Sequence, residues 1–249
     1  MIRFEKVTKT FGTFTVLNEL SLTVESGRIT FIVGKSGEGK SVTIKHIMGL
    51  LKPTSGRVIV DDQDITDFEG PQMKEHRKKI GLLFQHAALF DSMTVGANVM
   101  FPLKEHTRLS RFESLEKVET ILEMVGLAGS QHKYPSELST GEKKRVGLAR
   151  ALVTDPKIIL YDEPTTGMDP LVSEMIDDLI VDMKKKRPEL TSIVISHDLK
   201  AAMDTADDII MLYKGQVALK GSPEDFRKTD HPVIRQFFSG KVEGPMEFM

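Results

Sequence analysis

The 249-residue chain predicts an α/β fold with an antiparallel β segment at its start and an all-helical insertion, and three observations predict it. Short β-branched strands alternate with helical patterns and end repeatedly on polar residues, as in an open α/β sheet whose ligand lies beyond the strands' carboxyl ends. The opening residues instead alternate polar and apolar, the pattern of half-buried antiparallel strands. From residue 91 to about 140 the strand–helix alternation breaks and the sequence reads as helix, a length suited to a small inserted subdomain.

Taken in order, Ile2-Arg3-Phe4-Glu5-Lys6-Val7 and Phe14 through Val24 form the opening strands. They meet at Thr10-Phe11-Gly12-Thr13, where Phe11 has two roles open to it: stacking on a base or filling the turn. Ile29-Thr30-Phe31-Ile32-Val33 is a buried strand. Gly34-Lys35-Ser36-Gly37-Glu38-Gly39-Lys40-Ser41 follows it and fits the pattern G-x-x-x-x-G-K-[S/T]. Glycines let the backbone wrap an anion, so that amides and a helix N-terminus meet phosphate oxygens. Lys40 supplies a point charge and the Ser41 hydroxyl a ligand for Mg²⁺, and Glu38 is expected to turn its side chain to solvent. The helix after it carries Ile44, Ile47, Met48 and Leu51 on one face. This is a nucleoside-triphosphate site.

Arg57 through Asp62 reads as strand and turn, and Arg77-Lys78-Lys79 closes a polar helix before the strand Ile80–Phe84. That strand ends on Gln85, placed to reach Mg²⁺ or a water. His86-Ala87-Ala88-Leu89-Phe90 after it is either core or a small apolar patch for a partner. Ser110-x-x-Glu113 is a capping box, with Leu115, Val118, Leu122 and Val125 on the helical face that follows. Leu138-Ser139-Thr140-Gly141-Glu142-Lys143-Lys144-Arg145 sets cations at a helix N-terminus against the macrodipole. An anion held by the amides of Ser139 to Gly141 would justify that placement, and a solvated charged surface is the alternative. Lys157 through Leu160 is a buried strand delivering Asp162 and Glu163 at its carboxyl end. Successive strand side chains face opposite ways, so one acid is free for a metal and the other for an attacking water. Val172, Ile176, Leu179, Ile180 and Met183 share a helical face. Strand Thr191–Ser196 ends on His197-Asp198, Lys214-Gly215 turns the last hairpin, and residues 240–249, lacking periodicity, read as disordered.

Composition excludes other classes. A formal net charge of −2 and a pI near 6.4 give no basic face for nucleic acid. The absence of cysteine removes disulfides and Cys-ligated zinc and fits a reducing, intracellular setting. No apolar run approaches the length of a membrane span and none has signal-peptide form, so a membrane role is expected to run through a partner. A base-reading segment of GTPase type is missing, and so is the long coiled coil of chromosome ATPases.

The phosphate loop, Gln85, Leu138 through Glu142, Ile158 through Glu163, Asp169 and His197, in that order, resemble the nucleotide-binding subunit of ABC transporters over roughly residues 1 to 225. The resemblance implies a P-loop NTPase (RecA-like) core, residues 1–90 and 150–225, with an N-terminal antiparallel β subdomain. It further implies an inserted α-helical subdomain at 91–149 carrying the signature, and a C-terminal helix and tail at 226–249. ATP and Mg²⁺ are the implied ligands. Gly34, Lys35, Ser36, Gly37, Glu38, Gly39, Lys40, Ser41 and Val42 would hold the phosphates, and Phe11, with Phe14 as second choice, would stack on adenine. Ser41, Gln85 and Asp162 would serve the metal, Glu163 would be the general base, and Lys40 and His197 would contact the γ-phosphate. In a head-to-tail homodimer, Ser139 and Gly141 would complete the partner subunit's site and Asp169 would link the two. Thr140 and Glu142 depart from the usual Gly and Gln of the signature, and Gly167-Met168-Asp169 from the commoner Ala-Leu-Asp.

A narrower similarity lies in Gly81 through Val95, Pro102 through Thr107, and Gln236 through Gly240 with Gly244-Pro245. These stretches resemble the ATPases of Mla/Mce lipid-transport systems. That resemblance implies phospholipid or lipid transport across a diderm envelope, on the cytoplasmic side of the inner membrane. It implies an MlaE-like permease docking near Gln85–Phe90, an MCE-domain protein and a small accessory subunit, and a tail at 240–249 of the kind that reaches the other ATPase subunit. Another ABC importer, or a non-transport ABC regulator of envelope processes, is the alternative.

Overall fold

A computed structural model describes residues 1–239 and 243–246. In chain order the elements are β1 (Ile2–Phe11), β2 (Phe14–Val24), β3 (Ile29–Val33), α1 (Lys40–Ile47), β4 (Ser55–Val60) and β5 (Gln63–Asp64). Then come α2 (Gly70–Lys78), β6 (Ile80–Leu83), α3 (Val95–His106), α4 (Arg111–Met124), α5 (Thr140–Leu152), β7 (Ile158–Asp162) and α6 (Pro170–Lys186). The chain closes with β8 (Thr191–Ser196), α7 (Leu199–Thr205), β9 (Asp208–Tyr213), β10 (Gln216–Gly221), α8 (Pro223–Lys228) and α9 (Pro232–Ser239). It forms two compact units, Met1–Met73 with Ile193–Met249, and Lys74–Ser192.

In the first unit β2-β1-β4-β5 is an antiparallel sheet. Ile2 and Phe4 are buried at period two, but the next core residue, Val7, falls one position late. The mismatch is absorbed by a register shift between Phe4 and Val7, with Lys6 at φ 49°, and Glu19 on β2 takes the same angle. One extra residue on each strand restores the inward face, as a β-bulge does. β3 is buried throughout and pairs in parallel with β9, Val33 opposite Met211. Its continuous apolar run is what a strand covered on both faces needs. Lys214 and Gly215 both have positive φ and close the β9–β10 hairpin as a two-residue turn.

α1 ends at Ile47 with Met48 as its C-cap, so Met48 and Leu51, expected on its apolar face, lie past the helix. Residues 243–246 overturn the expectation of disorder for that part of the tail. Met246 is buried; its N–H donates to the Gln236 side chain at 2.7 Å, and its carbonyl accepts from the same amide at 3.0 Å. The Tyr213 hydroxyl donates to Pro245 O at 2.6 Å. Gly244, at φ 152°, allows this approach, since a Cβ there would stand 2.3 Å from Gln236 Cδ. The rest of the expected tail, 240–242 and 247–249, lies outside the described residues.

In the second unit β6 pairs in parallel with β7, Leu83 opposite Tyr161, and both strands therefore end on the same side. The α-helices α3, α4 and α5 and a short 3₁₀ helix at Pro135–Glu137 intervene between them. The Ser110–Glu113 capping box forms. Leu115 does not join the apolar face: it is exposed, and Ser114, Val118, Ile121 and Leu122 turn inward. The inward stripe thus starts one residue earlier, because 114, 118, 121 and 125 continue the 3.6-residue period and 115 falls beside it. α5 runs close along β6, where a Cβ on Gly81 would meet Ala151 O at 2.4 Å. Asp169 caps α6, Pro170 takes its first position, and Lys184, Lys185 and Lys186 fill its last turn, each in accord with the helix dipole.

Candidate active site

In the first unit the loop after β3 carries Gly34, Gly37 and Gly39 at φ 152°, 88° and 92°, angles that side chains rarely adopt. A Cβ on Gly34 would stand 2.6 Å from Leu212 O, and one on Gly39 would stand 2.5 Å from Leu17 Cδ2. The loop is therefore pressed onto β9 on one side and β2 on the other. Lys40 is 5% exposed, and its ammonium donates to Gly34 O at 2.8 Å and Lys35 O at 3.0 Å. α1 opens at Lys40 with no side-chain cap on its N-terminus, and Ser41 and Val42 lie in its first turn. A buried ammonium held within a glycine loop, beside first-turn amides without a side-chain cap, fits a phosphate chain.

Glu38 corrects an expectation. Its half-buried carboxylate is not left to solvent alone but accepts the backbone N–H of Lys214 in the turn after β9. The acid fixes the loop from outside the anion cradle, where its charge is spent on an amide. Phe11 and Phe14 face each other across the β1–β2 turn, both exposed, Phe14 at 66%. The Lys9 ammonium lies 5.2 Å from the Phe11 ring centroid. Two to three residues beyond Phe14, Val16 and Leu17 form the wall against Gly39, so β2 links the aromatic tip to the loop over about 7 to 10 Å. His197 is exposed at the end of β8, beside Asp198, which caps α7 by accepting from Ala201 N–H. It lines a cleft of about 750 Å³ with Lys200, Met203, Phe237 and Phe238.

In the second unit Asp162 ends β7, and Glu163 follows at φ 49°. A left-handed glutamate is strained by roughly 1–3 kcal/mol, and such outliers gather at functional sites. The Thr166 hydroxyl donates to Glu163 Oε2 at 3.0 Å and orients the carboxylate. Gln85 lies past the end of the neighbouring strand β6. Ser139 caps α5, and its hydroxyl accepts from Glu142 N–H while Ser139 N–H donates to Glu142 Oε2 at 2.8 Å. The Ser139 backbone N–H, and after it the Ser139 side chain, hold the Glu142 carboxyl below the usual carboxylate range. The Ser139 amide, expected to meet an anion, is thus taken by Glu142. Ser139, Gly141, Arg145 and Asp169 share a cleft of about 310 Å³, and a Cβ on Gly141 would crowd Val172 Cγ1 at 3.1 Å.

The basic run at 143–145 divides. Arg145 faces that cleft, whereas Lys144 turns inward and is buried, its ammonium donating to Gln85 O. Burial pushes the Lys144 ammonium down to about 8, against the pull of Asp162. Sequence reasoning missed Lys144, Arg150 and Thr166. The signal for the first two was their spacing, with Gly147 between them on one helical face. The segment after Gln85 is split as well. Ala87 is core, while Phe84, Ala88 and Phe90 open with Phe101, Pro102 and His106 onto an apolar groove of about 380 Å³. The Phe90 and Phe101 rings pack at 5.1 Å. Among the described residues no helix is long and apolar enough to cross a membrane.

The sequence profile described as ABC transporter matches residues 17–166. A protein of Mycobacterium tuberculosis named probable ribonucleotide transport ATP-binding protein mkl is 39% identical over 98% of this chain and 68% of its own length. A methionine import ATP-binding protein, MetN, of Geobacillus kaustophilus is 39% identical over 98% of this chain and 72% of its own length. The dimeric, post-hydrolysis ATP-binding cassette MJ0796 with ADP and Pi superposes with a TM-score of 0.80 at 32% identity, over 90% of this chain and 99% of that one. The cbiO1 protein of Clostridium perfringens, part of the transporter complex cbiONQ, gives 0.84 at 29% identity over 96% and 98%.

Proposed function

The chain belongs to the ABC transporter family, as an ATPase subunit that uses ATP and Mg²⁺, and we propose that it powers phospholipid or other lipid transport through a separate MlaE-like permease. The observation that carries the ATPase reading is the buried Lys40 ammonium inside its glycine loop. Support for the lipid cargo comes from Gly81 through Val95, Pro102 through Thr107 and Gln236 through Gly240, the stretches similar to Mla/Mce ATPases. The relatives named for methionine and ribonucleotide transport favour a second reading, import of a small solute.

In the proposed division of labour, Lys40 and the amides of Gly34 through Val42 bind the phosphates, and Phe11, or Phe14 beside it, holds the base. Ser41, Gln85 and Asp162 hold Mg²⁺, which when bound withdraws charge from the phosphate oxygens. Glu163, oriented by Thr166, accepts a proton from the attacking water, and His197 hydrogen-bonds the γ-phosphate. Ser139 and Gly141 face the ATP of a second copy, and Asp169 joins the two sites. The division into core (1–90 and 150–225), helical insertion (91–149) and C-terminal segment (226–249) follows these roles. The permease docks in the groove at Phe84 and Phe90, with an MCE-domain protein and a small accessory subunit in the assembly. The ATPase then lies peripherally on the cytoplasmic side of the inner membrane.

Purification of the tagged chain from solubilised membranes tests this. A co-purifying permease that carries phospholipid and stimulates hydrolysis supports the lipid reading. A permease whose stimulation answers to a small solute and its binding protein supports the second. Recovery of the chain with no membrane protein at all contradicts both.

A further inference from the structure

Lys144 is 3% exposed, and nothing in the hydrolytic scheme uses it. Its ammonium donates to Phe84 O at 3.5 Å and to Gln85 O, with Asp162 the charged group acting on it. Six residues along the same helix, Arg150 donates to Ala87 O at 2.6 Å and to Ala88 O at 2.7 Å. Between the two cations sits Gly147, where a Cβ would stand 2.9 Å from Leu83 Cδ1 and 3.2 Å from Ala87 Cβ. One face of α5 is therefore laid against the loop that follows β6, and two positive groups take four of its carbonyls.

Packing alone does not call for this arrangement, because burying an ammonium is costly and an apolar residue would fill the space. The loop is also in a conformation that it would not keep unaided: Ala87 and Ala88 are both left-handed, at φ 56° and 48°, and non-glycine residues resist that region. Charge-assisted bonds to its carbonyls offset the strain.

We propose that Lys144 and Arg150 are positioning residues that fasten the Gln85 loop to the signature helix, so that a push on the docking groove at Phe84 and Phe90 reaches Ser139 and Gln85 together. The inference rests on the transporter reading for what supplies the push, while the fastening itself concerns this chain alone. Lys144 acts through the Gln85 backbone and touches no reacting atom.

The test uses the full chain with its co-purified permease, comparing Lys144→Met, Lys144→Arg and Arg150→Met. In the nucleotide-free protein, amide exchange over residues 84–90 should speed up by roughly 10-fold or more in Lys144→Met, the effect of losing one charge-assisted hydrogen bond, with β7 and α5 still protected. Lys144→Arg should restore most of the protection. The Mg²⁺ concentration for half-maximal hydrolysis should rise about 10-fold in Lys144→Met, while affinity for metal-free ATP stays put and stimulation by the permease disappears. Unchanged exchange at 84–90, uniform acceleration across the unit, or unaltered Mg²⁺ dependence would each overturn the proposal. If Lys144→Met does not fold, Lys144→Gln, which keeps a donor, is read by the same exchange and judged by the same outcomes. Failure of the transporter reading shows separately, as wild-type chain that brings down no permease.

Discussion

Replacing Gly34 and Gly37 by alanine, one at a time, separates two ways in which the phosphate loop depends on glycine. Both have positive φ, 152° and 88°, but their surroundings differ. At Gly37 nothing lies within 4 Å of the added Cβ, whereas at Gly34 the methyl would stand 2.6 Å from Leu212 O and 3.5 Å from Leu212 C. Leu212 belongs to β9, whose preceding residue is paired in parallel with β3 at Val33, so that carbonyl cannot rotate aside as a side-chain tip would. Gly37→Ala should therefore cost backbone strain alone, about 1–2 kcal/mol. Gly34→Ala adds the same strain to an overpacking cost of about 1–3 kcal/mol, for about 2–5 kcal/mol in all. The chain has no tryptophan, so urea unfolding is followed by circular dichroism, and ATP affinity by a fluorescent nucleotide analogue. Gly34→Ala should lower the midpoint clearly more than Gly37→Ala, and both should weaken nucleotide binding. Equal losses at the two positions would refute the claim that the loop is pressed onto β9.

Three further outcomes are expected. His46 is buried against Phe4, with Nδ1 2.8 Å from Val42 O and Nε2 without a hydrogen-bond partner, and burial lowers its pKa. The unfolded imidazole takes up a proton near 6.5 and the folded one resists it, so unfolding gains a proton as pH falls and stability drops below about 6.5; urea midpoints at pH 5.5 and 7.5 should diverge less in His46→Leu. Phe90→Asp puts a charge on an exposed ring beside Phe101, and should abolish permease-stimulated hydrolysis while the unstimulated rate stays within about 3-fold of wild type, a surface change being near neutral for the fold; equal loss of both rates would mark Phe90 as core. Ser139→Ala removes the α5 cap, which should cost about 1 kcal/mol of stability in thermal or urea unfolding, with hydrolysis falling far more than that loss explains if the hydroxyl serves a second copy's ATP.

How much of this was legible in the sequence depends on whether the signal was local. The phosphate loop, the capping box at Ser110–Glu113 and the Lys214-Gly215 turn each follow from residues a few positions apart, and their geometry is fixed by that spacing. Contacts set by distant parts of the chain were not legible. Glu38 looked like a solvent acid because its amide partner, Lys214, lies 176 residues away. Lys144 looked like part of a surface run because nothing nearby announces that Gln85 O will meet it. Leu115 departs from its expected place because two adjacent registers of α4 both offer apolar residues, and packing against the rest of the unit chooses between them. The tail lacks periodicity and reads as disordered, yet Met246 is held by two hydrogen bonds with Gln236 and Pro245 by one from Tyr213, contacts that no periodic pattern encodes.

The proposed role of Glu163 as general base is what ATP hydrolysis by this chain depends on most directly. Single-turnover hydrolysis of Mg-ATP by wild type and Glu163→Gln, with sedimentation of the same mixtures, measures it directly. The expected result is a rate lowered by about 10²- to 10⁴-fold, with ATP retained in a dimer that wild type releases. A variant that hydrolyses ATP at close to the wild-type rate would contradict it.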